Sequence, residues 1–280
     1  MGIGMKEALR RVPGLLRLWR LVGRVRHGLV LRFARRRNYT FTQFRRLPTQ
    51  VDQLAGPVLD AAGVGGNGAS LRVLLFGCSS GAEAFSLASA LRECRPEAGW
   101  EIDCWDIEPD MVALARTATY PARDVVAQRT ATPEFVSRTF DVSGDDLVVK
   151  AVLRERLRFD VGDVLDEALI ARLAPADVVV AQNFLYHLAR PDAERAFGHL
   201  IRLLKPRGVL AVDGADLDLR TEITARAALV PWPAEIERIH EEARVERGYA
   251  WPQIYWGLEP YQPWRPDAVR RYATIFLRAG

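Results

Sequence analysis

The run Leu71–Leu91 constrains the fold more than any other part of the chain. Arg72 to Phe76 is short and mostly apolar, with turn residues directly after it, which predicts a buried parallel strand. Gly77, Ser79, Ser80 and Gly81 supply the turn. From Glu83 onward Phe85, Leu87, Ala88 and Leu91 recur at helical spacing. Strand, glycine turn and helix form the first half of a βαβ unit. A ligand can sit on the backbone N–H groups where such a helix begins.

The turn is not a dinucleotide fingerprint. It reads G-x-x-x-G, Gly77 and Gly81, where a pyrophosphate asks for G-x-G-x-x-G. That argues against a nicotinamide oxidoreductase. S-adenosylmethionine has no phosphate, so its site tolerates a sparser turn. A tight strand-to-helix turn of any α/β protein is the other reading. Trp100 to Asp106 is strand-like and ends on an acid 25 residues after Gly81. An acid near that distance, at the tip of the second strand, accepts hydrogen bonds from a ribose diol. A solvated Asp at a strand end is the plainer alternative.

Charge divides the chain. Residues 1–46 carry 13 Lys and Arg against Glu7 alone, a net +12, and the remainder carries 26 basic and 34 acidic residues, a net −8. Within residues 5–37, Leu15, Leu18, Trp19, Val22, Val25 and Leu29 share a helical stripe, with Arg17, Arg20 and Arg24 opposite. Three readings are open: a cap on the main domain, an amphipathic helix on an anionic membrane surface or partner, or a contact to nucleic-acid phosphates. No aromatic stacking platform accompanies the last. The expected layout is a basic helical cap over residues 1–62 and a cofactor domain over 63–280, with a small-residue linker at 63–70.

No run of 18 apolar residues and no secretory leader is present, and Cys78, Cys94 and Cys104 have neither metal nor disulfide spacing. The four histidines are scattered, so no metal site is expected. These features predict a cytoplasmic protein.

Along the rest of the chain, Gln50–Ala62 and Met111–Arg116 are expected helices. Residues 121–156 break the βα alternation and read as an insertion, with a helix start at Thr132 and a strand near Asp145–Val152. Leu157–Asp160 resumes the sheet, and Ala176–Asn183 is a central strand whose carboxyl end, Gln182–Leu188, faces the ligand crevice. Asp192–Leu204 is the next helix. Lys205–Gly208 reads as a turn ahead of strand Val209–Asp213, and Tyr272–Leu277 as a last strand. Trp232, Tyr249, Trp251, Tyr255, Trp256, Tyr261 and Trp264 either line an acceptor pocket or pack the core.

These segments, in order, resemble the chemotaxis-receptor methyltransferase (CheR-type) family over about residues 38–214. Ser79–Ala88 is similar to that family's S-T-G-E-E-P-Y-S-I-A turn, and Asp106–Tyr120 to its D-I-D-x-x-x-L-x-x-A-R-x-x-x-Y segment. Gln182–Leu188 resembles R-N-V-x-I-Y-F, Leu203–Leu210 resembles L-L-K-P-G-G-x-L, and Thr42–Arg46 resembles T-x-F-F-R. The resemblance implies a class I, Rossmann-like doubly wound α/β sheet that binds S-adenosylmethionine and methylates a glutamate carboxylate. It implies cofactor roles for Gly77, Ser79, Ser80, Gly81 and Glu83, for Asp106 (ribose) with Ile107, for Asp163 and Val164 (adenine), and for Asn183 with Phe184. It sets Thr42 and Arg46 near the transferred methyl group. His187 stands where the family has Tyr, and Gly214–Asp216 where it has H-S-E. These departures, with an insertion that does not match in detail, point to a non-chemotactic member.

Methyl transfer from a sulfonium is an in-line displacement. A carboxylate acceptor, with a reference pKa of about 4.3 for Glu, is ionised at neutral pH and needs no strong base. Arg46 is the candidate to hold it bidentately, and His187 to orient it or to act as base toward an alcohol or amine. A surface arginine and a packed histidine are the plainer readings. The acceptor is expected to be a small molecule, peptide or protein. A module that binds the cofactor without catalysis, and a nucleic-acid N- or O-methyltransferase, are the alternatives.

Overall fold

The computed structural model describes residues 42–64, 70–247 and 259–280, with helical positions Leu15, Leu18, Leu21–Gly23, Val25 and Leu29. The rest of the expected 5–37 helix, most of the 63–70 linker and the aromatics Tyr249–Trp256 lie outside the described residues.

A seven-stranded sheet carries the chain. Its strands are β1 (Leu71–Phe76), β2 (Trp100–Asp106), β6 (Leu157–Val161), β7 (Ala176–Gln182), β8 (Leu204–Asp213), β9 (Val230–Pro231) and β10 (Ile275–Leu277), in the order β6-β2-β1-β7-β8-β10-β9. The first five are parallel, and β10 runs antiparallel to both its neighbours. The strand order reverses between β1 and β7, which opens a crevice at their carboxyl ends.

Period-2 alternation divides the strands between two cores. Val73, Leu75, Val178, Val180, Val209 and Ala211 face one core, and Leu74, Phe76, Val179, Ala181, Leu210 and Val212 face the other. The sheet is therefore covered on both faces, the doubly wound α/β arrangement. The first face is covered by α1 (Pro48–Gln53), which runs through a π-helical turn (Leu54–Val58) into α2 (Leu59–Ala62), and by α3 (Ala82–Cys94) and α4 (Pro109–Thr117). Pro57 lacks the N–H that an α-turn would use, and the wider turn absorbs it. Phe44, Leu54, Val58 and Leu59 share this core with Leu71 and Val73. The second face holds α8 (Glu167–Arg172), α9 (Arg190–Arg202), α10 (Leu217–Arg226), the start of α11 (Ile236–Arg247) and α12 (Ala268–Tyr272).

A second, three-stranded sheet interrupts the alternation after α4. It comprises β3 (Thr119–Pro121), β4 (Phe140–Ser143) and β5 (Asp146–Val149) in the order β3-β5-β4, with α5 (Ala122–Val126), α6 (Pro133–Thr139) and α7 (Ala151–Arg154) around it. Thr132 caps α6 by accepting from Phe135 N, as the sequence suggested.

Two local expectations are corrected. Lys205–Gly208 is not a separate turn, because β8 is continuous from Leu204. Between the pairs Ala176↔Leu204 and Val178↔Val209 the register shifts, and Arg207 sits at φ 62°. The proline and glycine build a bulge inside the strand. Tyr272 closes α12, and the last strand begins at Ile275. Burial pushes the Cys78 and Cys104 thiols well above their ordinary range, so both serve as packing residues.

Candidate functional site

The turn after β1 is wired to β2 rather than left open. Gly77 N and Cys78 N donate to Trp105 O at 2.8 and 3.2 Å, and Ser79 N donates to Asp106 Oδ2 at 2.7 Å. Asp106 Oδ1 accepts from Glu108 N at 3.0 Å. Two backbone donors thus fix the carboxylate at the tip of β2, and each oxygen keeps a second lone pair for a ligand hydroxyl. Fewer turn N–H groups face the crevice than the sequence suggested, because the strand-end carboxylate and carbonyl take several of them.

The turn needs its glycines. Gly77 lies at φ +77°, and a Cβ there would fall 2.7 Å from the Phe184 ring. Gly81 lies at φ +90°, with Phe85 and Ala115 against it. Ser79 also takes a left-handed conformation, at φ 46°. Tyr120 Oη, from β3, donates to Ser80 O at 2.5 Å and holds the turn from above. Burial raises the Tyr120 hydroxyl far above its ordinary value, so it remains a donor. Tyr120 lies within the Asp106–Tyr120 motif but was not singled out as a site residue.

A second group meets at the start of α3. Glu83 Oε1 accepts from Asn183 Nδ2 at 3.3 Å and lies 4.0 Å from an Arg46 guanidinium nitrogen. The Arg46 and Glu83 side chains are only 9% and 11% exposed, so Arg46 is not a surface arginine. Asn183 adopts φ 61° beside Gly214, whose missing Cβ leaves room for the Asn183 backbone. Three residues far apart in sequence therefore share one corner of the crevice.

Segment 42–46 is seated by the second sheet and by α3. Phe44 N donates to Gln128 Oε1 at 2.8 Å, and Phe44 O accepts from Thr130 Oγ1 at 2.6 Å. The Phe44 ring packs edge-on against Tyr120 and Phe140. Arg45 N donates to Ser86 Oγ at 2.8 Å. Thr42 Oγ1 is buried without a hydrogen-bond partner among the described residues. Under Arg46, Gln182 Nε2 donates to Gln50 Oε1 across 132 residues of sequence. Nothing in the local pattern announced that pair.

Asp163 and Val164 lie beyond β6, next to Asp106, since Gly162 N donates to Asp106 O at 2.9 Å. Ile107 is exposed, and Val164 is buried. His187 occupies a 3-10 turn (Leu185–His187), its ring 4.2 Å from that of Tyr186. Among the C-terminal aromatics, Trp232 packs against the first core, Tyr261 packs edge-on against Tyr272, and Trp264 is exposed.

The donor set fits S-adenosylmethionine. The turn has a bare, left-handed backbone and a fixed carboxylate for a diol. Among the described residues no helix is long and apolar enough to cross a membrane, and no group of His, Cys, Asp and Glu is arranged to hold a metal ion.

Comparison with known proteins bears on the cofactor. The family described as "CheR methyltransferase, SAM binding domain" matches residues 40–225. A probable biofilm formation methyltransferase, WspC of Pseudomonas aeruginosa, is 28% identical over 74% of this chain and 48% of its own length. WspC of Pseudomonas putida is 35% identical over 56% of this chain and 36% of its own length. The chain thus spans about half or less of these relatives. Chemotaxis protein methyltransferase 1 of Pseudomonas aeruginosa is 31% identical over 53% of this chain and 56% of its own. A solved structure, a putative sarcosine dimethylglycine methyltransferase from Galdieria sulphuraria, aligns with 87% of this chain and 94% of its own at 14% identity and a TM-score of 0.42.

Proposed function

The chain belongs to the CheR methyltransferase family, and from that premise we propose that it methylates a carboxylate of a protein acceptor with S-adenosylmethionine. The observation that carries the carboxylate is the buried Arg46 guanidinium, brought beside Glu83 and Asn183 at the carboxyl edge of the sheet.

When bound, S-adenosylmethionine supplies an electrophilic methyl group on a sulfonium. Asp106 would hold the ribose diol, and Ile107, Asp163 and Val164 would border the adenine. Gly77, Ser79, Ser80, Gly81, Glu83, Asn183 and Phe184 would hold the methionine part, and Thr42 would lie toward the reacting end. Arg46 presents N–H donors in a planar fork, one edge toward Glu83 and the rest toward the acceptor carboxylate. An ionised carboxylate would accept the methyl group without giving up a proton, the sulfur–methyl bond breaking as the ester bond forms and S-adenosylhomocysteine leaving as a neutral thioether, so the protein's contribution is alignment and exclusion of water. His187 orients the acceptor at the mouth. A protein acceptor agrees with the chemotaxis and biofilm methyltransferases among the relatives.

Radiolabelled methyl transfer to bacterial membrane and soluble extracts tests the reading. Label released as methanol by mild alkali supports a methyl ester. Alkali-stable label overturns it, and cofactor binding with no transfer to any acceptor means a binding module. Arg46→Ala should lower kcat at least tenfold while affinity for S-adenosylhomocysteine changes less than about threefold. Equal losses in both would remove Arg46 from the acceptor side.

One observation bears on the basic N-terminal segment. The helical residues Leu18, Leu21, Val22, Val25 and Leu29 are each more than half or about half exposed, at 50–59%. An apolar stripe on a segment of net +12 suits the interface of an anionic membrane. The full chain should pellet with phosphatidylglycerol-containing vesicles, less so in high salt, and Val22→Glu with Val25→Glu should abolish it. Equal pelleting with neutral vesicles, or none with either, would overturn this assignment.

A further inference from the structure

We propose that His199, a residue outside the crevice, is a positioning residue that sets the orientation of the Asp163 carboxylate toward the adenine ring. The inference rests on the reading of Asp163 and Val164 as the adenine-side residues.

His199 lies on α9, beneath the loop that follows β6, and is 6% exposed. Its Nδ1 lies 2.7 Å from Val164 O. A carbonyl only accepts, so Nδ1 carries the hydrogen. The N–H of the same peptide unit belongs to Leu165, and it donates to Asp163 Oδ1 at 2.9 Å. One peptide plane is thus gripped at both ends, by an imidazole below and by the Asp163 carboxylate above. If the plane turns, Asp163 Oδ1 loses the Leu165 donor that fixes it.

The imidazole is braced in its own turn. Its Nε2 lies 2.8 Å from Glu167 Oε2, and Glu167 Oε1 accepts from Arg202 at 2.6 Å. The hydrogen bond from Arg202 holds the Glu167 carboxyl below its ordinary range, which keeps it an acceptor. The ends of the loop are held separately, by Gly162 N on Asp106 O and by Asp166 N on Asp163 O, both at 2.9 Å. His199 therefore acts on the middle of the loop, where the ligand-facing carboxylate sits.

A carboxylate beside adenine accepts from the exocyclic amine. An inosine base presents a carbonyl there and is disfavoured. Discrimination between the two bases reads carboxylate orientation, and a general loss of stability does not move it.

The experiment measures affinities of the full chain for S-adenosylhomocysteine and S-inosylhomocysteine by calorimetry. Wild type should prefer the adenosine form, and Asp163→Ala should lose the preference. His199→Leu should lose about tenfold of it, the worth of one hydrogen bond to a charged group. His199→Asn, whose side-chain amide can take the place of Nδ1–H, should stay within about threefold of wild type. Preference retained in Asp163→Ala would sink the adenine reading itself. Preference lost in Asp163→Ala but intact in His199→Leu would overturn the role of His199 and leave that reading standing. Should His199→Leu fail to fold, Glu167→Ala decides. Glu167 is 65% exposed, so the core survives its loss, and removal of the brace should lower the preference about threefold. An unchanged preference there overturns the proposal.

Discussion

Asp106→Ala is expected to weaken S-adenosylhomocysteine binding by about 100-fold, or ~3 kcal/mol, from the loss of two hydrogen bonds to a charged acceptor. The loss does not stop at the ligand. Ser79 N and Glu108 N both donate to this carboxylate, so its removal frees the turn that shapes the crevice. Asp106→Asn should recover little despite its shape, because its NH2 group would meet one of those two N–H donors. Calorimetry on folded protein checks both variants. Wild-type affinity in Asp106→Ala would refute the ribose assignment.

Glu259→Ala should have the largest effect on stability, about 3–5 kcal/mol and a fall in melting temperature on the order of 10 °C. Glu259 is fully buried. It accepts from Arg271 at 2.6 and 3.1 Å and from Tyr272 Oη at 2.8 Å. Burial already pulls the Arg271 guanidinium below its ordinary value. Without Glu259 that charge keeps Asp218, at 2.6 Å, as its side-chain ion partner among the described residues. Glu259→Gln, which keeps an acceptor oxygen, should lose less. Thermal unfolding of the three proteins side by side provides the check, and a shift in Glu259→Ala under about 2 °C would contradict the buried-pair account.

How legible each part was in the sequence follows from how local its cause is. The β1–turn–α3 unit and the acid ending β2 rest on neighbouring residues, and both stand as read. The resemblance brought Arg46, Glu83 and Asn183 forward one by one, but their meeting depends on the path of the chain. Glu83 and Asn183 are 100 residues apart, and Gln50 and Gln182 are 132 apart. Tyr120 ends the Asp106–Tyr120 motif, yet its bond to Ser80 O needs the second sheet to fold back over the turn. Lys205–Gly208 misled for a physical reason. Proline and glycine signal a break, and pairing of β8 with β7 on either side of it absorbed the break as a bulge. Tyr272 looked like strand because of its company, and five residues of α12 left almost no helical period to detect.

The way the insertion holds Phe44 has a consequence for exchange between homologues. Gln128 and Thr130 clasp the Phe44 backbone two residues before Arg46. The insertion is thus part of the scaffold for Arg46, the residue proposed to hold the acceptor, and not a detachable accessory. A chimaera that grafts a relative's insertion onto this chain inherits a different seat for Arg46 unless both clasping side chains travel with it. Drift in the insertion and drift in the placement of Arg46 are then inherited together, so any change in the insertion has to pass through sequences that still close on Phe44.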